Sequence, residues 1–143
     1  GHRYALDDEE IPGLGLADLE TIRSGGPRLT GNVAIAVDLD GDGRDRILAG
    51  FENHAGQTHL GAGEQPLGRV LKGHGNTGTS GAEGVRRDGV IGSYLHGPLL
   101  PKNAWFADWL IARALGLDEG DLEPLDDALE DAAHAEARRA AGV

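Results

Sequence analysis

The 143-residue chain contains no cysteine and no methionine. Without cysteine, disulfides, thiolate metal sites and a thiol nucleophile are excluded within these residues. The lack of methionine, even at position 1, is compatible with removal of an initiator residue. It is equally compatible with a chain cut from a longer protein, and composition alone does not decide between the two.

Positive charge is also scarce, because 13 Lys and Arg residues stand against 24 Asp and Glu residues, for a net charge of -11. Nucleic acids and anionic membrane surfaces are therefore disfavoured as partners, since both are bound through concentrated Lys and Arg. No apolar run approaches the roughly 20 residues of a membrane-spanning helix, and no signal peptide opens the chain. We expect a cytoplasmic protein.

Aromatic residues make up only 4% of the chain, whereas it has 24 glycines and is 39% hydrophobic. This composition is close to that of globular proteins, and the length suits one domain. The core is expected to consist mainly of Leu, Ile, Val and Ala, with many turns between its elements.

Alternating apolar residues predict several β-strands. Within 32–38 the residues Val33, Ile35 and Val37 fall on one face; an Asp-Gly turn follows, and 46–51 alternates again, which predicts a β-hairpin. Further strands are predicted at 14–22, 68–71, 85–86 and 90–95. The last is expected to be buried and to deliver the polar side chain of His96 at its end.

The apolar period becomes that of a helix after Asn103, a good N-cap residue, and both tryptophans lie in this helix, which is predicted to end at Gly116. A second, amphipathic helix is predicted over 125–141, with an apolar stripe of Leu125, Leu129, Ala132 and Ala133. The pattern is that of an α/β protein. It divides into a domain over 1–117 and an acidic linker with a C-terminal helix over 118–143.

Two segments resemble known ligand-binding loops without completing them. Segment 38–43 carries the first Asp residues of a calcium loop, but the bidentate Glu required at the twelfth position is replaced by Ala49. A hairpin turn is therefore predicted there. The Gly-rich segment 73–81 lacks the ending of a phosphate-binding loop and is expected to be a surface loop.

No metal site is expected from the remaining histidines. His54, His59 and His74 have neither cysteine nor an organised set of carboxylates to complete a metal site. They are interpreted as turn or loop histidines.

Two other segments are candidates for function. Segment 50–56 places three polar side chains at the end of an apolar strand, and segment 92–98 places His96 before a Gly-Pro pair. Open α/β sheets bind ligands at the ends of strands. Spacing alone leaves open both a structural and a catalytic role for His96.

The chain resembles the cobyric-acid-synthase-like class I glutamine amidotransferases, and among them the amidotransferase subunits of bacterial lipid II isoglutaminyl synthases. The resemblance extends to about residue 115. The matching segments, in the family's order, are 1–4, 13–15, 28–32, 50–54, 66–68, 75–76, 83–84 and 92–103. The Phe-Glu-Asn-His sequence at 51–54 and the Tyr-Leu-His-Gly-Pro sequence at 94–98 carry most of its specificity.

In that family a cysteine nucleophile on a sharp strand-to-helix turn precedes a segment like residues 1–4. The resemblance thus implies the C-terminal part of the flavodoxin-like, three-layer class I fold, without the N-terminal strands and the nucleophile elbow. It implies that His96 is the catalytic imidazole. It implies that Arg28 binds glutamine, as suits a guanidinium facing an α-carboxylate. Many class I members carry Glu two residues after the histidine, where this chain has Pro98, so the third catalytic residue is unassigned.

The activity implied is hydrolysis of the side-chain amide of L-glutamine. The ammonia would serve a Mur-ligase-like (MurT-like) synthetase subunit, which uses ATP and Mg to amidate the stem-peptide glutamate of lipid II in peptidoglycan synthesis. This chain would need no cofactor, and without a nucleophile it is expected to be inactive alone. Two alternatives stay open: the amidotransferase domain of a cobyric acid synthase-type enzyme, and a non-catalytic binding module with the same fold.

Overall fold

The computed structural model describes residues 1–23 and 25–143. The described residues form ten strands, two α-helices and one 3₁₀ turn. The strands are β1 (Arg3–Ala5), β2 (Glu10–Pro12), β3 (Leu19–Arg23), β4 (Leu29–Val37), β5 (Arg46–His54), β6 (Gly56–Leu60), β7 (Gly68–Lys72), β8 (Ala82–Glu83), β9 (Val85–Arg87) and β10 (Val90–Gly92). The helices are α1 (Ala104–Leu115) and α2 (Ala128–Ala141), with the 3₁₀ turn at Glu119–Asp121 between them. The α/β class is confirmed.

The first sheet has the strand order β2-β1-β3-β6, with β1 and β3 parallel and the other pairs antiparallel. The predicted strand over 14–22 is wrong in its first part, because β3 begins only at Leu19. Gly15 adopts a left-handed φ of 68°, which interrupts an extended backbone. Leu14 and Leu16 consequently lie exposed.

The second sheet has the order β5-β4-β7-β8, with every pair antiparallel, and it contains the predicted hairpin as β4 and β5. The Asp38 carboxylate closes the connecting turn by accepting the amides of Gly41, Asp42 and Gly43 at 2.8–3.2 Å. The predicted turn at 38–43 is confirmed. The strands predicted at 68–71 and 85–86 are also present, as β7 and β9.

The core lies on one face of this second sheet. Val33, Ile35 and Val37 pack there with Leu95 and with Phe106 and Trp109 of α1. The other face of β4 carries Ala34 and Ala36, which are also buried. On that face Asn32 Nδ2 donates to Ala140 O at 3.0 Å, which ties α2 to the sheet. The sheet is therefore the middle layer between α1 and α2.

Helix α1 begins after Asn103 and ends at Gly116, whose φ of 70° closes it as predicted. The predicted apolar stripe of α2 is wrong, because Leu125 and Leu129 are 76% and 77% exposed while Ala141 is buried. Polar contacts hold the helix instead: Asn32 Nδ2 donates to Ala140 O at 3.0 Å, and His134 Nδ1 donates to Lys102 O at 2.8 Å. None of the described helices is long and apolar enough to cross a membrane.

Candidate functional site

Strand β5 lies at an edge of its sheet, and three residues distant in sequence occupy its free edge. Backbone groups point alternately towards and away from the neighbouring strand in an antiparallel pair. Ala49, Phe51 and Asn53 are outward positions of β5. Their partners, in the same order, are Asn103, His96 and Arg28.

His96 is attached to this edge through its backbone. Its amide donates to Phe51 O at 2.6 Å, and the two residues form an isolated antiparallel bridge. Side chains of directly paired residues share a face, with Cβ atoms about 4.5–5.5 Å apart. Within residues 1–23 and 25–143, the exposed His96 ring has no hydrogen-bond partner. No carboxylate of the described chain therefore orients the ring, and the third catalytic residue remains unassigned.

Arg28 is attached two residues further along the same strand. Its Nε donates to Asn53 Oδ1 and a terminal nitrogen donates to Asn53 O, both at 2.8 Å. Two residues of a strand span about 7 Å, so the structure brings His96 and Arg28 to neighbouring places on one edge. A guanidinium has five N–H donors, and the two bonds to Asn53 leave others to bind a carboxylate.

A cavity of about 250 Å³ lies beside Arg28 and is lined mainly by polar and aromatic side chains. Its lining includes Tyr4, Arg23, Arg28, His54 and Tyr94. Two guanidinium groups at one small cavity favour an anionic ligand group. This position suits the α-carboxylate of an amino acid.

Asn103 occupies the predicted N-cap position of α1, but its side chain makes no capping bond. Instead its Oδ1 accepts from Ala49 N at 3.0 Å and its Nδ2 donates to Ala49 O at 2.9 Å and to Leu99 O at 2.7 Å. The amide thus imitates the backbone of a neighbouring strand. The segment from His96 to Asn103, which includes the cis Gly97–Pro98 peptide, is bonded to β5 at both ends.

His54 was expected in a turn or loop, and that prediction is wrong: it is the last residue of β5 and only 6% exposed. Its Nδ1 donates to Gly56 O at 2.7 Å, and its ring stacks on Tyr94 at 3.6 Å between ring centroids. The Nε2 atom is buried without a hydrogen bond to the described residues, 3.7 Å from Glu52 Oε2. His59 lies in β6, also contrary to expectation, and His74 lies in a loop as predicted.

The Gly-rich segment 73–81 is only partly at the surface, which corrects its prediction as a surface loop. Gly75 and Asn76 are buried. The buried Glu52 carboxylate accepts the amides of His74 and Gly75 at 2.6 and 3.0 Å. A buried carboxylate needs such donors, so Glu52 ties this segment to β5.

Behind His96, a second buried carboxylate holds the segment that leads to it. Glu83 Oε1 accepts from Ser93 Oγ at 2.9 Å and from Tyr94 N at 2.6 Å. Burial raises the pKa of the Glu83 carboxyl above its usual value, against the opposite effect of these hydrogen bonds. The prediction of a buried strand over 90–95 is wrong in two respects. The strand β10 is only half-buried and ends at Gly92, and side-chain bonds replace a ladder beyond it.

Sequence reasoning missed the roles of Glu83 and Asn103, which it placed only in a matching segment and at a helix cap. The only local signal for Glu83 is a lone acidic residue between apolar and glycine neighbours at 82–85, which is an environment typical of a buried carboxylate. Asn103 gave the signal of a helix cap. Its hydrogen bonds to Ala49, which is distant in sequence, cannot be predicted from the local sequence pattern.

The chain is similar to known proteins over most of its length. The model of the CobB/CobQ-like glutamine amidotransferase domain matches residues 1–104. The lipid II isoglutaminyl synthase (glutamine-hydrolyzing) subunit GatD of Staphylococcus aureus (strain N315) is 40% identical over 115 residues, which cover 80% of this chain and 44% of that protein. The corresponding subunit of Streptococcus pneumoniae (strain ATCC BAA-255 / R6) is 38% identical over 107 residues, 75% of this chain and 40% of that protein.

Cobyric acid synthases are also similar. That of Pelotomaculum thermopropionicum is 37% identical over 123 residues, which cover 80% of this chain but 23% of the relative. The chain therefore spans less than half the length of each of these relatives.

Proposed function

Because the chain belongs to the CobB/CobQ-like glutamine amidotransferase domain family, we propose that the protein releases ammonia from the side-chain amide of L-glutamine. The observation that carries the proposal is the shared edge of β5, where His96 and Arg28 attach at Phe51 and Asn53. The two attachment points lie two residues apart, about 7 Å along a strand, so the imidazole and the guanidinium could reach the two ends of one short amino acid.

In the proposed reaction, a cysteine thiol from outside these 143 residues attacks the amide carbon of glutamine. His96 takes the proton from the thiol and gives it to the departing nitrogen, so ammonia leaves and a thioester remains. A water molecule, deprotonated by His96, then hydrolyses the thioester to glutamate and regenerates the thiol. Arg28 holds the substrate α-carboxylate through the donors that Asn53 leaves available.

We further propose that the ammonia serves the amidation of the stem-peptide glutamate of lipid II. Support comes from the two relatives named as glutamine-hydrolysing subunits of lipid II isoglutaminyl synthase. The partner would be a Mur-ligase-like synthetase subunit in the cytoplasm that uses ATP and Mg, while this chain would need no cofactor. The alternative, corrinoid amidation, has support from relatives of which the chain covers a smaller share.

The test uses the whole protein with and without its synthetase partner. Glutamate and ammonia are measured after addition of glutamine, and amidation of lipid II or of a corrinoid acid is followed by mass spectrometry. We expect glutamine hydrolysis and amidated lipid II. Glutamine hydrolysis accompanied by amidation of the corrinoid acid alone would support the alternative. A whole protein that hydrolyses no glutamine would support a binding module.

A further inference from the structure

The three residues before His96, and His96 itself, link the two edge strands of the second sheet. Glu83 lies in β8 at one edge and Phe51 lies in β5 at the other. Between them, Leu95 is 6% exposed and belongs to the hydrophobic core. This connection, residues 93–96, we call the crossing segment.

Each backbone amide that leads to the His96 ring has its own acceptor. The Tyr94 amide donates to Glu83 Oε1, the Leu95 amide to Ser93 Oγ at 2.9 Å, and the His96 amide to Phe51 O. Ser93 Oγ in turn donates to Glu83 Oε1. The first two amides are therefore held, directly or through one hydroxyl, by a single carboxylate oxygen.

The side chains of the crossing segment add to this restraint. The Tyr94 ring stacks on His54 with an angle of 3° between the ring planes, and its hydroxyl is 2.7 Å from Thr58 Oγ1. The His96 ring, by contrast, has no hydrogen bond within the described part of the chain. The direction of the ring therefore depends on the backbone of residues 93–96 and on the hydrogen bonds that hold this backbone.

We propose that Glu83 is a positioning residue, which acts through Ser93 and the Tyr94 amide to fix the direction in which His96 leaves the sheet. The inference rests on the proposed function only in taking His96 as the base that serves the cysteine thiol. Glu83 itself touches neither substrate nor thiol. Its buried side chain needs acceptor geometry at Oε1 rather than a negative charge to fill this role.

The test uses the whole protein and the variants Glu83→Ala, Glu83→Gln and Ser93→Ala. The matched control is Thr77→Ala, because Thr77 Oγ1 also accepts two backbone amides, but in the loop 73–81. Two readouts are taken: kcat and KM for glutamine, and the pH profile of alkylation of the cysteine whose reactivity depends on His96. The second readout reports the His96–thiol pair and does not require glutamine to be the substrate.

A displacement of about 1 Å at a catalytic group can cost about 100-fold in rate. We therefore expect kcat to fall by about that factor in Glu83→Ala and by about tenfold in Ser93→Ala, with KM nearly unchanged because Arg28 is anchored separately. In both variants the apparent pKa of the thiol should rise. Glu83→Gln keeps an acceptor oxygen and should restore both readouts close to those of the wild type, and Thr77→Ala should change neither.

A thiol profile in Glu83→Ala and Ser93→Ala identical to that of the wild type would overturn the inference, whatever happens to turnover. Glu83→Gln as defective as Glu83→Ala would overturn it as well. If the wild type releases no ammonia but the thiol profile shifts as expected, the proposed function fails while the positioning role stands. If no cysteine responds to His96, both fail.

Discussion

Asn53 holds the guanidinium of Arg28 at two points, with its side-chain oxygen on Nε and its backbone oxygen on a terminal nitrogen, each at 2.8 Å. Thr30 Oγ1 also donates to the same side-chain oxygen at 3.2 Å. The arginine is therefore oriented before a ligand arrives, which lowers the entropic cost of binding.

Loss of the Asn53 side chain should weaken glutamine binding. In Asn53→Ala we expect KM for glutamine to rise about tenfold, because a hydrogen bond to a charged group is worth about 1.5–3 kcal/mol. The value of kcat should change little. Steady-state kinetics of the whole protein measures both, and Asn32→Ala, on the same face of the hairpin, is the control. A fall in kcat at constant KM would contradict the role of Asn53.

Loss of the His96 imidazole should abolish catalysis but leave glutamine binding intact. General acid–base catalysis contributes about 10²–10⁴-fold, and we expect kcat of His96→Ala to fall by at least this much. Binding of glutamine, measured by calorimetry, should remain because Arg28 is untouched. His59→Ala, an exposed histidine of β6, is the control. Turnover in His96→Ala equal to that of the wild type would rule out the proposed base.

Removal of the Asn103 side chain should destabilise the protein. In Asn103→Ala the buried backbone groups of Ala49 lose both partners, and we expect the free energy of unfolding to fall by about 3 kcal/mol. Urea denaturation followed by fluorescence of the two tryptophans in α1 gives this value. Asn32→Ala removes one exposed hydrogen bond to Ala140 and should cost less than about 1 kcal/mol. Equal effects of the two substitutions would refute the role of Asn103 at the strand edge.

The Glu83 carboxyl should make stability depend on pH. Because burial raises its pKa in the folded protein, the folded state binds its proton more tightly than the unfolded state does. The stabilising effect is complete below the ordinary value of 4.5 and is lost as pH rises through the raised value. The side chain of Glu83→Gln cannot ionise. Its free energy of unfolding relative to that of the wild type should therefore increase as pH rises through the pKa of Glu83.

Urea midpoints of wild type and Glu83→Gln, measured at a series of pH values above 4.5, test this directly. A difference that stays constant with pH, or that favours the wild type more as pH rises, would contradict the raised pKa. Glu64→Gln is the comparison in which the opposite pH dependence is expected. The pKa of the Glu64 carboxyl is lowered, mainly by the hydrogen bond from the Asp18 amide and also by Arg87, despite partial desolvation.

Local patterns predicted the elements whose residues decide their own structure. The hairpin of β4 and β5 follows from alternating apolar residues on both sides of an Asp-Gly turn, and α1 follows from its helical period and Gly116. Helix α2 was predicted, but with the wrong face. Its orientation depends on Asn32 and on a bond from His134 Nδ1 to Lys102 O at 2.8 Å, and neither contact is encoded in the helix's own period.

The candidate site shows the same division. Spacing drew attention to His96 and the resemblance supplied Arg28, but neither predicted that both attach to one edge of β5. Glu83 and Asn103 went unrecognised because each acts on residues far away in sequence, through side-chain bonds to backbone groups. Such contacts depend on which strand lies at the edge of the sheet, and only the assembled fold determines that.

The covered edge of β5 also bears on self-association. An edge strand with unpaired backbone groups is a template on which another copy of a chain can add a strand. Here Asn103, His96 and Arg28 occupy backbone groups of Ala49, Phe51 and Asn53, so the residues that shape the candidate site also shield this part of the edge from other copies. A substitution that detaches the segment from His96 to Asn103 would therefore expose an edge strand able to pair with another copy. Loss of activity and aggregation would then appear together.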